Sequence, residues 1–307
     1  MKLFILIWLV AMLAFYVSAQ VPPYQHTPYT TQSVAQVDAR VASLATGSTN
    51  FAPLASSLTY FVRTDGSDSN AGTNNTAGGA FKTIQKAVYT VAGSWFPPGS
   101  SNVIQIADGT YNENVLLPPV AGNGSYYING NSGTPANVLL APASGDGISG
   151  SGAISGWTIQ NFKIWATNGN SVIMSQGASL TVGTGMNFGP AKSGGVHLFA
   201  NNNSAIIVSG NYTISGGTGN HYYATRGSII NDTISPTVTI TGTPAFTAFA
   251  AADDAGVVAM FNVTFTGSTT GSRFNLNLNG VIHTLTGSAT YFPGNSSGTT
   301  NNGGQYQ

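Results

Sequence analysis

"YFVRTDGSDSNAGTNNTAGGAFKTIQKAV", residues 60–88, changes character twice. Tyr60–Val62 is β-prone. Asp65–Gly79 consists, apart from Ala71 and Ala77, of Gly, Asn, Asp, Ser and Thr, the residues that make turns through side-chain-to-backbone bonds and left-handed backbone. Phe81, Ile84, Val88 and Val91 then recur at helical spacing, which predicts an amphipathic helix. Immediately downstream, "SNVIQIADGTYNENVLLP" predicts a strand over Val103–Ala107, a tight turn at Asp108-Gly109, and a second strand over Tyr111–Leu117.

Composition narrows what this unit introduces. The 307 residues carry 9 basic and 9 acidic side chains, and charged residues make up 6%, far below the roughly 25% of an ordinary domain. Hydrophobic residues make up 42%, enough for a large core, and polarity comes from Asn, Ser, Thr and 39 Gly. That mixture suits β-structure with many turns better than helix. A nucleic-acid partner is excluded, because phosphates demand clustered Lys and Arg. With no cysteine there is no disulfide and no thiolate chemistry.

The order strand, polar loop, helix, strand, "GTYNEN" resembles the start of right-handed parallel β-helix proteins of the pectin-lyase-like class, with the match running from Tyr60 to Leu117. The resemblance implies a helix covering one open end of a solenoid whose first coil starts near Val103. Such a cover has a physical purpose, since the unpaired strand edges at a solenoid end invite aggregation. From Gly256 to Tyr306 the chain also resembles C-terminal parts of β-helix proteins from bacteriophage tails and phage-derived bacterial genes. That pattern marks an architecture and carries no catalytic assignment.

The repeats can be read directly. "SQGASLTVGTGMNF", "ANNNSAIIVSGNYTI", "ATRGSIINDTI" and "AADDAGVVAMFNVTF" each run polar turn, small residue, apolar strand. Their strands begin near Leu180, Ile206, Ile229 and Val257, a step of roughly 25 residues, with Trp157 opening an earlier coil. Asn161, Asn187, Asn211 and Asn262 follow the strands in similar places and predict an interior amide ladder. The expected fold is all-β: a single right-handed parallel β-helix of about seven or eight coils with an N-terminal capping helix.

The expected organisation is a signal peptide over 1–19, a linker with one short helix over 20–58, a strand–loop–helix cap over 59–102, the β-helix over 103–292, and a Gly/Asn-rich tail over 293–307. The signal peptide rests on Lys2, the apolar run Phe4–Val17 and the small-residue site Val17-Ser18-Ala19; the alternative is an uncleaved membrane anchor, against which the run is shorter than the roughly 20 residues a spanning helix needs. The linker helix rests on the stripe Val34, Val37, Val41 and Leu44. The chain is therefore expected outside the cell or on a virion surface, with no membrane association once the signal is cleaved.

Several constellations bear on chemistry. Asp68, Asn70 and Gly72 follow D-x-N-x-G, and with Asp65 they are the candidate calcium ligands; an EF-hand fails, because its twelfth position holds Gly79 or Thr76 instead of Glu. Calcium is the one cofactor this pattern admits. Asp232 in "NDT", the pair Asp253-Asp254 and Arg273 resemble a polygalacturonase-like set with its first motif scrambled and its Gly-His-Gly missing. The repeats offer a competing role: Asp253 and Asp254 fall in the same turn as Gln176, Asn202-Asn203 and Thr225-Arg226, so Arg226 is expected one coil, about 5 Å, from an acidic partner. His197 and His221 lie one coil apart as expected neighbours, with no third metal ligand visible. Among the recurring aromatics Trp157, Trp165, Phe199, Tyr222, Tyr223 and Phe249, half must be interior by strand alternation. Trp165, Tyr222 and Tyr223 are the candidates for stacking on sugar.

Fold alone does not decide function. The first reading is a non-enzymatic surface or virion-appendage protein, tail-fibre- or tailspike-like, that binds polysaccharide or cell-surface glycan, with a homotrimer as its candidate assembly. The second is a secreted polysaccharide lyase or glycoside hydrolase of the pectin-lyase-like class. The third is a purely structural spike.

Overall fold

The computed structural model describes residues 57–307. The signal-peptide reading and the linker helix fall outside these residues. The described chain is a parallel β-solenoid of three sheets with ten, seven and eight strands, and every pairing between neighbouring strands is parallel. We call the ten-stranded sheet 1, the seven-stranded sheet 2 and the eight-stranded sheet 3. Each coil contributes one strand to each sheet in turn, so sheet 2 counts seven complete coils. Neighbouring coils are separated by about 4.8 Å, the ordinary strand spacing.

The inward column of sheet 1 shows how the sequence specifies the stack. Tyr126 pairs with Trp157, Leu180 with Ile206, Ile206 with Ile230, Ile230 with Val258 and Val258 with Ile282, and all of these side chains are buried. The later strands do start at Ile229 and Val257, but the residues equivalent to Leu180 and Ile206 are the next ones, Ile230 and Val258. Ile229 sits beside Ala205 and Val257 on the outward row. Along sheet 1 the insertion between coils is absorbed at the corners, so spacing varies while register does not.

The cap is built as its sequence suggests. Thr59–Val62 adds a strand to sheet 1 beside Ser101–Ile106. Helix α1 (Ile84–Ala92) buries Ile84, Ala87, Val88 and Val91 against the first coil. Thr83 is its N-cap, with the side-chain oxygen accepting from the Lys86 N–H. Glu113 of "GTYNEN" closes the helix from the other side: its two carboxylate oxygens accept the Ile84 and Gln85 N–H groups at 2.8 and 2.9 Å. The polar loop folds back on Phe81, where Gly72 adopts φ +74° and an added Cβ would lie 2.2 Å from the Phe81 ring.

Three local expectations differ from what is found. Residues 111–117 are not one strand: Gly109–Tyr111 belongs to sheet 2 and Val115–Leu117 to sheet 3, with a corner between them. The Gly/Asn-rich residues 293–307 continue the solenoid, since Thr299–Thr300 pairs with Asn275–Leu276 and Gln305–Tyr306 pairs with Val281–Ile282. The amide ladder is real and includes Asn161, but its other members are not the expected ones. Asn211 is exposed and accepts the Thr237 N–H, and Asn262 is exposed as well.

The actual ladder runs along the half-buried edge between sheets 1 and 2. Asn129 donates to Gln105 at 2.6 Å, while Gln160 and Asn161 both donate to Asn129, at 3.0 and 2.8 Å. Gln105 completes it by donating to the Gly130 carbonyl. Replacing Asn129 by Leu is expected to cost about 1–3 kcal/mol, because three amides lose partners. Asn211→Leu is expected to cost about 1 kcal/mol or less, since it frees one exposed N–H. Paired denaturant titrations of the two variants check the order, and equal losses would contradict it.

Candidate functional site

Strand alternation divides the aromatics as a pleated sheet must. Trp157, Tyr222 and Phe249 point into the core, each at most 1% exposed, whereas Trp165, Phe199 and Tyr223 face outward. Tyr222, a candidate for stacking on sugar, is therefore enclosed. Trp165 is exposed on sheet 2, with the Lys163 ammonium over its ring.

Phe199 and Tyr223 are register partners on neighbouring strands of sheet 3. Their rings stack with centroids 5.1 Å apart and planes 3° from parallel. Beyond Tyr223 the next outward residue is Ala251, followed by Asn275. The ring ladder thus ends at a step down to a methyl group. Beside it lies a cleft of about 310 Å³ lined by Phe199, Asn201, Tyr223, Thr225, Arg226, Asp253, Asp254 and Leu278. It combines flat apolar rings with amide, hydroxyl, carboxylate and guanidinium groups.

The polar rim comes from the turn that joins sheet 3 to sheet 1. Gln176, Asn202, Asn203, Arg226, Asp254, Ala255, Leu278 and Asn279 all adopt positive φ there. Successive turns are linked through the backbone, Asn203 N–H to the Arg226 carbonyl and Ala255 N–H to the Leu278 carbonyl. Arg226 and Asp254 approach to 4.0 Å across one coil, as the repeat alignment anticipates. Both are well exposed, so this contact contributes little to stability. Asp253 accepts a long bond from the Tyr223 hydroxyl at 3.4 Å. Partial burial, then the Asp253 carboxylate, raises the Tyr223 phenol above its ordinary range.

The remaining candidates do not converge on this cleft. Asp232 continues the inward column Ile159, Val182, Val208 of sheet 1. It is buried at a corner and accepts the Phe261 N–H at 2.7 Å, so it serves as a backbone cap. Arg273 lies on sheet 3 within reach of the Ser296 carbonyl, four residues along the strand from the position facing Asp253, about 13 Å away at ordinary strand rise.

The candidate calcium ligands are engaged in the cap. Asp68 accepts the Lys82 and Thr83 N–H groups on one oxygen and the Thr83 hydroxyl on the other. Asp65 pairs with Arg63 at 2.8 Å, and that hydrogen bond holds its carboxyl below the usual range. Asn70 donates to the Ala77 and Ala80 carbonyls. Among the described residues no group of three or more His, Cys, Asp or Glu is arranged to hold a metal ion.

Asn201, Thr225 and Leu278 are not visible as site residues in the sequence. The signal that finds them is positional: each stands at or next to the stacked turn, Asn201 one coil before Thr225 and Leu278 one coil after Asp253-Asp254. Compared with known proteins, the chain matches no family model, no curated protein and no solved structure.

Proposed function

We propose that the protein is an exported β-helix rod of the surface or virion-appendage kind, whose sheet 3 face binds carbohydrate through the Phe199–Tyr223 stack. The observation that carries this reading is the coplanar outward ring pair ending beside a polar turn. Aromatic faces accept the C–H surface of a sugar, and the rim of Asn201, Thr225, Arg226 and Asp253 supplies hydrogen-bond partners for its hydroxyls. The resemblance of the cap to pectin-lyase-like proteins and of the C-terminal part to phage-tail proteins supports the same class.

Binding is favoured over hydrolysis by where the carboxylates point. A glycosidase needs two carboxyl groups facing across one cleft. Here Asp254 is turned to Arg226, Asp253 to the Tyr223 hydroxyl, and Asp232 into a corner of sheet 1. The test is a polysaccharide panel with purified protein. At least one glycan is expected to bind, and Tyr223→Ala is expected to weaken it about tenfold with an unchanged melting temperature. Failure to bind any glycan overturns the proposal. Cleavage of a panel polymer that Asp254→Asn abolishes without loss of fold would replace it with the hydrolase reading.

A further inference from the structure

The core of the middle coils contains a polar chain that the cleft does not use. The His197 Nε2 lies 2.9 Å from the Gly189 carbonyl. The His197 and His221 Nδ1 atoms are 3.0 Å apart. The His221 Nε2 is 2.7 Å from the Tyr212 hydroxyl, which contacts the Tyr222 hydroxyl. Both histidines and Tyr222 are fully buried, and Tyr212 is 3% exposed. Gly189 and Tyr212 stand on sheet 2, while His197, His221 and Tyr222 stand on sheet 3. The chain therefore laces two sheets together across neighbouring coils.

Its proton arrangement is fixed from one end. A carbonyl only accepts, so His197 must donate from Nε2. A neutral His197 then accepts at Nδ1, and His221 donates from its own Nδ1. The His221 Nε2 accepts from Tyr212, whose oxygen accepts from Tyr222. Every link is satisfied with all four side chains neutral. Adding a proton to His197 puts two N–H groups face to face at the Nδ1 contact, and adding one to His221 forces the Tyr212 hydroxyl to reverse toward Tyr222, whose own proton then loses its acceptor. Either proton also places a charge inside an aromatic cage of Phe188, Phe246 and Phe249. The other ionisable groups acting on the chain are Tyr291 and Asp232, which both act on Tyr222; neither is turned to pair with an imidazolium.

We propose that the His197–His221–Tyr212–Tyr222 chain is an acid-sensitive lock: it holds sheets 2 and 3 together while both histidines are neutral and releases them when protons are forced on. Burial acts in the same direction, lowering His197 to about 3 and His221 well below its ordinary value. The sign follows from linkage. Each folded-state pKa is depressed below the unfolded value of about 6.5, so the unfolded chain binds protons that the folded one refuses. The contribution is complete above about pH 6.5 and declines as pH falls toward the folded values.

Unfolding titrations of the full chain from pH 6 to pH 4.5 test this. Over that window the unfolding equilibrium constant is expected to rise several-hundredfold, roughly tenfold per pH unit for each histidine. The variant H197Q/H221Q keeps amide donors and acceptors without titrating, and its dependence is expected to be nearly flat. Should that variant not fold, long-range nitrogen-15 correlation spectra of the parent decide the matter. They are expected to show His197 protonated at Nε2 and His221 at Nδ1, unchanged down to pH 5. Either histidine titrating near its ordinary value in the folded protein, or a flat parent unfolding profile, overturns the proposal.

Discussion

Replacing Phe249 with alanine is expected to lower the unfolding free energy by about 3–5 kcal/mol, the cost of a large cavity in a packed core. Phe249 is fully buried and its ring lies 5.1 Å from His221, 5.3 Å from Phe246 and Phe265, and 5.9 Å from Phe292. It stands where the sheet 3 strand departs from simple alternation: the pairing with the next coil shifts register between Ala245 and Ala248. Phe249 and Ala250 are both buried, as are His221 and Tyr222 one coil earlier. The neighbouring rings are held from all sides and cannot collapse into the vacated space. Guanidinium unfolding of the two proteins measures the difference. A loss below about 1 kcal/mol would mean that the interior repacks freely.

Glu113→Ala is expected to cost about 2–3 kcal/mol. Its carboxylate accepts two of the N–H groups that a helix start leaves without partners, and hydrogen bonds to a charged acceptor are the stronger kind. The negative charge also faces the positive end of the α1 dipole. Burial raises the Glu113 carboxyl, and the Gln85 and Ile84 N–H bonds oppose that rise. The variant is expected to unfold at lower denaturant and to lose hydrogen-exchange protection first at Ile84–Val88. Unaltered protection there would contradict the capping role.

Glu113 also shows how much of the fold was legible. The strand–loop–helix unit and the "GTYNEN" segment could be read as a cap and a first coil because each residue does local work. Asp68 fixes the Lys82 and Thr83 N–H groups, Thr83 caps the helix, and Glu113 reaches it from the first coil. The repeats were legible because a small residue and an apolar strand return in every coil. Register was less so: Ile229 and Ile230 are both apolar, and only pairing with Ile206 decides which one faces in. The tail was misread because Gly and Asn suggest turns, and two-residue strands leave almost no periodic signal.

The candidate site was legible in part. The stacked turn and the Arg226–Asp254 neighbour follow from the repeats. The separation of Asp232 from Asp253 does not, because the two lie at different corners of one coil and the sequence distance between them says nothing about which corner. Nor did alternation place the histidines. His197 and Leu198 are both buried, as are His221 and Tyr222, so consecutive buried residues in sheet 3 defeat the period-two rule at the residues with the most chemistry. The amide ladder was missed for a related reason: Gln105, Asn129 and Gln160 stand in "VIQIADG", "YINGN" and "TIQNF", which align only once strand ends are known.

The most direct measurement of the central claim is aromatic carbon-13 NMR of the full chain, recorded while a glycan identified from the panel is added. The Phe199 and Tyr223 ring signals are expected to shift together and to saturate with the bound fraction, while the enclosed Trp157 and Phe249 stay in place. Shifts centred on Trp165, or a bound glycan that leaves the Phe199 and Tyr223 signals unmoved, would contradict the assignment of the sheet 3 face as the binding site.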